Sequence, residues 1–278
     1  MYFHLFRAIS CTLLVMFSNT YLFSQNLKIF TRRDGHKVSF FVNNPHHCPG
    51  QGIVYVSNPE ILVSESDKKT HYFTIEALKD SLFLFEVMTH PDSNTALKYK
   101  YNFAFGNPLQ SRPDLDYPYI IPYEDKKKHW LIQGYNGKYS HKKQFALDFK
   151  MKEGSPVCAV REGIVIDSRQ DSEKGGKGAE FSNLANYIII YHPQDGTFAY
   201  YWHLKYQGVV VKTGNWVNPG DIIGFSGNTG WSTTPHLHFE IKKPVYMKMA
   251  SIPSLFLNRK LKNRRLKPWR PYKSFHYR

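Results

Sequence analysis

The segment Pro235-His236-Leu237-His238-Phe239-Glu240-Ile241 carries two imidazoles two residues apart. In an extended strand such residues share a face, so His236 and His238 project together while Leu237, Phe239 and Ile241 turn into a core. Taken alone, the pair reads either as half of a metal site or as two surface histidines on an alternating strand. Two further segments carry matching side chains: Ser140-His141 followed by Phe145-Ala146-Leu147-Asp148-Phe149, and Tyr200-Tyr201-Trp202-His203-Leu204. A catalytic zinc takes three ligands from His, Asp and Glu and keeps a fourth position for water, whose pKa it lowers to about 7. His141, Asp148 and His238 supply two imidazoles and a carboxylate. His203 and His236 are left for the protons: one to take the proton from that water, one to stabilise a developing oxyanion or protonate a leaving amine. Asp148, between Leu147 and Phe149, would be costly to bury without such a partner.

Other chemistry-bearing residues read as structural. His46 and His47 precede Cys48 but have no further ligands nearby, so they are taken as an incidental pair in a loop. His192, in Tyr191-His192-Pro193, looks like a strand-end residue, and Cys158 sits in an apolar run. Gly224, Gly227 and Gly230 match no phosphate-binding or dinucleotide pattern and serve turns or close backbone approach.

These residues need a β scaffold, and the chain favours one. Its 278 residues include 19 Tyr and 20 Phe, and no segment has convincing helical periodicity. Residues 26–106 read as a small β-sandwich-like domain with strands at 37–42, 52–56, 71–75, 82–87 and 98–105. In the last of these Tyr99, Tyr101, Phe103 and Phe105 share a face. Residues 107–130 read as an extended connector, with Pro108, Pro113, Pro118 and Pro122 excluding a helix. Residues 131–250 read as a second β domain, with strands at 157–166, 186–192, 197–204, 208–212, 222–226 and 236–242. A polar, glycine-bearing loop at 171–183 is of the kind that borders a binding cleft.

The termini speak to location. Residues 1–25 read as an export signal: Arg7 with His4, then an apolar run over 8–17 extended by 21–23, too short and interrupted for a membrane span. Its removal takes Cys11 and leaves Cys48 and Cys158, expected as free buried thiols. The chain has 37 Lys and Arg against 22 Asp and Glu, a net charge of +15. No acidic residue follows Glu240, and residues 251–278 form a basic tail with Arg259-Lys260, Lys262 and Arg264-Arg265. Such charge suits a polyanionic partner such as a wall or envelope polymer. A nucleic-acid partner would need neither an export signal nor this histidine set.

The stretches SHKKQFALDF, EGSPVCAVREGIV, NYIIIYHPQDGTFAYYWHL and VNPGDIIGFSGNTGWSTTPHLHFEI, within residues 133–243, together resemble the lysostaphin-type, or LytM-type, zinc metallo-endopeptidases of peptidoglycan. The resemblance implies a compact antiparallel β domain of the duplicated hybrid motif type, with a groove across one sheet. It also implies bound zinc, a peptidoglycan peptide as substrate and an exported, periplasmic or secreted protein. It makes His238 and Asp148 ligands and His203 and His236 catalytic. In one place the chain departs from the family: position 144, where the pattern has a histidine ligand, is Gln. The expected replacement is His141, displaced by a grown turn. Loss of that ligand would instead leave a non-catalytic peptidoglycan-binding or amidase-activating protein.

Overall fold

The computed structural model describes residues 27–64, 70–93, 95–257 and 263–276; the expected export signal lies outside them. Six strands come first: β1 (Lys28–Asp34), β2 (Lys37–Asn44), β3 (Gly50–Val56), β4 (His71–Ile75), β5 (Lys79–Met88) and β6 (Tyr99–Phe105). They make two three-stranded antiparallel sheets, β1-β2-β5 and β4-β3-β6. Alternation decides the packing: Val38, Phe40 and Val42 of β2 face inward and share a core with Val54, Phe73, Ile75, Tyr99 and Tyr101.

The rest of the chain is built mainly of strands. In order these are β7 (Pro118–Tyr119), β8 (Lys128–Gln133), β9 (Ala146–Lys150), β10 (Pro156–Cys158) and β11 (Gly163–Arg169). Then come β12 (Gly175–Gly176), β13 (Asn186–His192), β14 (Thr197–Val209), β15 (Trp216–Val217), β16 (Ile222–Ser226) and β17 (Gly230–Trp231). The last are β18 (His236–Val245), β19 (Lys248–Ile252), β20 (Leu255–Leu257), β21 (Asn263–Arg264) and β22 (Arg270–Lys273). The main sheet runs β15-β11-β13-β14-β18-β9-β8-β22. One face is apolar: Ile188, Ile190, Tyr201, Leu237, Phe239, Leu147, Phe149 and Leu131 are buried in a single core. The opposite face of β18 therefore carries His236, His238 and Glu240.

That second face is shared. Phe198 and Tyr200 of β14 lie on it and pack against Cys48 and Phe105 from the N-terminal strands. Gln51 ties the two parts polar to polar, donating to the Val245 carbonyl at 2.8 Å and accepting from the Met247 amide at 3.0 Å. Cys48 and Cys158 are both free and buried, as expected.

Three stretches differ from the sequence reading. Residues 107–130, read as an extended connector, also pack inward: Tyr119, Ile120, Ile121 and Tyr123 are buried in the main core. The strand expected over 157–166 is broken between β10 and β11. There Arg161 turns inward to pair with Asp195 at 2.7 Å under the Tyr117 ring. The described residues of the basic tail are woven into the fold. Phe256, Leu266 and Tyr272 are buried, and β22 adds an edge strand beside β8. The Tyr123 hydroxyl donates to the Tyr272 carbonyl at 2.6 Å.

Candidate active site

Register brings the sequence-selected residues together. His238 of β18 pairs with Asp148 of β9, and on its other side with Trp202 of β14. His141 comes from the turn before β9, where the Gln144 amide donates to the His141 carbonyl at 2.9 Å. This turn carries Lys142, Lys143 and Gln144 outward to solvent and leaves His141 fully buried. His141 thus faces Asp148 and His238, while Gln144 faces solvent.

Three donor atoms converge. His141 Nε2 lies 3.2 Å from Asp148 Oδ1, His238 Nδ1 lies 2.9 Å from the same oxygen, and the two nitrogens are 3.1 Å apart. These separations are close to the roughly 3.3 Å edge of a tetrahedron with 2.0 Å bonds. Protons satisfy only part of the triangle. His141 Nδ1 donates to the Gly134 carbonyl at 3.0 Å, so in the neutral ring Nε2 presents a lone pair to the carboxylate. That lone pair and the carboxylate's face each other at 3.2 Å, and the one Nδ1 proton of a charged His238 can answer only one of them, so a cation between the three atoms satisfies the set best. Among the described residues His141, Asp148 and His238 are the one His/Cys/Asp/Glu group able to hold a metal ion, and their donor set suits zinc.

Asp148 is aimed by a residue the sequence reading passed over. Gln133 Nε2 donates to Asp148 Oδ2 at 3.0 Å, leaving Oδ1 toward the histidines. A register shift in β8 between Leu131 and Gln133 sets Gln133 opposite Asp148. Glu240, next along the same face, was also passed over. Its Oε1 lies 3.7 Å from His238 Nε2 and is held by Lys242 at 2.7 Å. The period-two spacing from His236 through His238 to Glu240 was the signal available for it. The site demands positive charge. Burial lowers the pKa of His238, but the carboxylates of Asp148 and Glu240 outweigh it and raise it to about 9. Burial likewise raises Asp148, yet the imidazoles of His141 and His238 hold its carboxyl well below the usual range.

His203 and His236 stand beside this triangle, their rings 4.6 Å apart and the His203 ring 6.0 Å from that of His238. His203 Nδ1 donates to the Thr229 carbonyl at 2.7 Å and His236 Nδ1 to the Thr234 carbonyl at 2.8 Å. Both rings therefore keep Nε2 free; that of His236 is 3.8 Å from Asp148 Oδ1. Burial, then the neighbouring His236 and His238, pushes His203 down to about 3. Burial lowers His236 as well. Both are neutral imidazoles at pH 7.

The aim of His203 depends on an irregular backbone. The β13–β14 register shifts between Asn186 and Tyr187, so His203 is the extra residue of a bulge, with φ of 64°. Such a bulge re-aims a side chain that a regular strand would send elsewhere. Its anchor, Thr229, sits in a turn that presses on β14; a Cβ on Gly227 would lie 2.5 Å from the Lys205 amide nitrogen. Only glycine fits there.

Residues 142–251 match peptidase family M23. The match begins one residue after His141. Lysostaphin of Staphylococcus simulans is 37% identical over 97 residues, 34% of this chain and 17% of lysostaphin. Peptidoglycan DD-endopeptidase ShyA of Vibrio cholerae is 36% identical over 109 residues, 38% of this chain and 22% of ShyA. The chain thus spans about a fifth of the length of these curated relatives. Among solved structures, the catalytic domain of lysostaphin from Staphylococcus simulans is 29% identical, covering 46% of this chain and 88% of that one, with a TM-score of 0.35.

Proposed function

Since residues 142–251 are a peptidase M23 domain, we propose that the chain is an exported zinc endopeptidase that hydrolyses the peptide part of peptidoglycan. The observation that carries this reading is the convergence of His141 Nε2, Asp148 Oδ1 and His238 Nδ1 beside two neutral histidines with free Nε2 atoms.

His141, Asp148 and His238 would hold the zinc, which when bound supplies Lewis acidity to water and to the scissile carbonyl. The protein's own groups do the rest. Gln133 and the Gly134 carbonyl keep Asp148 and His141 turned to the centre. Glu240 compensates the charge on the far side of His238. Because the Nδ1 protons of His203 and His236 are spent on backbone carbonyls, each ring offers a lone pair at Nε2. It can donate there only after taking a proton. One ring accepts the proton lost by water, and the protonated ring then delivers it to the departing amine nitrogen. Turning the imidazoles to these carbonyls costs no reorganisation during the reaction.

The non-catalytic alternative, a peptidoglycan binder or amidase activator, rested on a lost ligand; the buried His141 beside Asp148 and His238 supports the catalytic reading instead. The basic surface supports retention on anionic wall or envelope polymers. The decisive experiment is digestion of purified peptidoglycan by the full chain, with mass spectrometry of released peptides and metal analysis. Soluble fragments that vanish in chelator and return with zinc are expected; chelator-resistant release, or none from zinc-loaded protein, overturns the reading.

A further inference from the structure

The face that carries the histidines does not end at them. Antiparallel register pairs His236 with Lys150, Lys150 with Trp130, and Trp130 with Pro271 across four adjacent strands. Directly paired residues project from the same face. Burial agrees: the neighbouring row, Leu237, Phe149 and Leu131, is 0% exposed in the core, whereas Lys150 and Trp130 are exposed. Lys150 therefore stands one strand, about 4.8 Å, from His236, and Trp130 about twice that. Two residues along, Lys128 pairs with Lys273 on this same face.

The charges on this face have no internal answer. Lys150, Lys128 and Lys273 are exposed, and no ion pair among the described residues includes any of them. The acids on β14, β18, β9, β8 and β22 are Asp148 and Glu240, both buried at the histidines. At the strand ends, Glu124 and Asp125 sit against Lys127 and Lys126. A lone ammonium on a flexible stem beside the proton-handling His236 is placed to meet a substrate anion.

We propose that Lys150 is a specificity-determining residue, binding a carboxylate that the substrate carries next to its scissile amide, with Trp130 and Pro271 receiving the aliphatic chain beyond. This deepens the endopeptidase reading and rests on it. It divides the two chemistries a peptidoglycan cross-link offers. In a D-alanyl–diaminopimelate link the carbon bearing the scissile nitrogen also bears a free carboxylate. A glycyl–glycine bridge offers only neutral amides there. The chain is thereby assigned to carboxylate-bearing cross-links.

The test uses the full zinc-loaded chain and paired soluble cross-linked peptides, identical except that this carboxylate is free or amidated, with an oligoglycine peptide beside them. The wild type favours the free acid over the amide by about tenfold in kcat/KM, through KM, as a single charge-assisted contact would give. The preference shrinks as salt is raised. Lys150→Gln brings the ratio to about one, and Lys150→Arg keeps it, while zinc content and thermal melting stay at wild-type values in both. A wild-type ratio near one, a ratio unmoved by Lys150→Gln, or preferred cleavage of oligoglycine overturns the proposal. If nothing is cleaved, calorimetric titration with the same two peptides separates the questions. A free-acid preference lost in Lys150→Gln upholds the subsite while the peptidase reading falls; equal binding of both peptides overturns the subsite.

Discussion

Two regions of this molecule gather histidines, and only one of them is chemistry. Beside the N-terminal sheets, His46 lies flat on Phe103, ring centroids 5.4 Å apart, and edge-on to Phe105 at 4.9 Å. Its Nε2 is buried without a partner, and the neighbouring Cys48 thiol is pushed up by burial. Against the main sheet, His141 from its turn and His203 and His236 from their strands each give Nδ1 to a backbone carbonyl and so present Nε2 inward. A carboxylate faces two of them there. The difference is not the number of imidazoles. One cluster is tied by ring faces to aromatic neighbours; the other is tied by one nitrogen to the backbone, so that the other nitrogen is free and aimed.

The sharpest way to break this contrast is to remove one donor from each side. His141→Ala is expected to empty the metal site and abolish hydrolysis, because two ligands hold a divalent ion poorly. Gln144→Ala, on an exposed turn residue, and His46→Ala, in the aromatic cluster, leave metal content at the wild-type level. Metal analysis of the three purified variants decides it. Zinc retained by His141→Ala, or lost from Gln144→Ala, would show that the triangle of 2.9–3.2 Å contacts is not the binding site.

Next in size is the separation of ligand from proton carrier. His203→Ala keeps its zinc but loses turnover by about a hundredfold to ten-thousandfold, read as kcat on a soluble cross-linked peptide. An emptied metal site in this variant would reassign His203 as a ligand.

Both expectations use residues that were legible in the sequence, and the reasons are physical. The alternation through His236, Leu237, His238 and Phe239 is a strand pattern whose two faces differ in kind. It sets which histidines point together, and the strands expected at 186–192 and 222–226 have those same boundaries in the fold. What stayed hidden depends on partners distant in sequence. Gln133 acts through a register shift, and a bulge has no compositional mark. Arg270–Lys273 reads as part of a basic tail, yet Tyr272 within it is buried. One apolar residue among Arg and Lys gives no periodicity to detect. Tyr119 and Ile120 were hidden likewise by the prolines around them, which exclude a helix but are compatible with extended chain packed on a core.

A smaller effect sharpens the contrast at Glu240. Replacing it by Gln keeps the shape and removes the charge facing His238 Nε2, 3.7 Å away. Metal affinity should fall by about tenfold to a hundredfold, measured by competition with a chromophoric chelator, without change in fold by circular dichroism. Unaltered affinity would confine Glu240 to its ion pair with Lys242.

The smallest expected effect belongs to the aromatic cluster and concerns stability alone. Burial, then the charge of His47, pushes His46 from its ordinary 6.5 down to about 4. Between these pH values the unfolded chain binds a proton at this ring and the folded chain does not. Stability therefore falls as pH drops through this window: the contribution of His46 is whole above about 6.5 and lost by about 4. The shift corresponds to roughly 3 kcal/mol at most. His46→Phe keeps a ring against Phe103 and Phe105 but cannot titrate. Its melting temperature, compared with wild type, should gain steadily as pH is lowered from 7 to 4, by about 2–4 °C for each kcal/mol. His192, lowered to about 4 mainly by its own burial, is present in both proteins and cancels in the difference. Parallel melting curves across that range would mean that His46 is hydrated or partnered in solution, and the distinction between a ring held by its faces and a ring held by its nitrogen would lose its thermodynamic half.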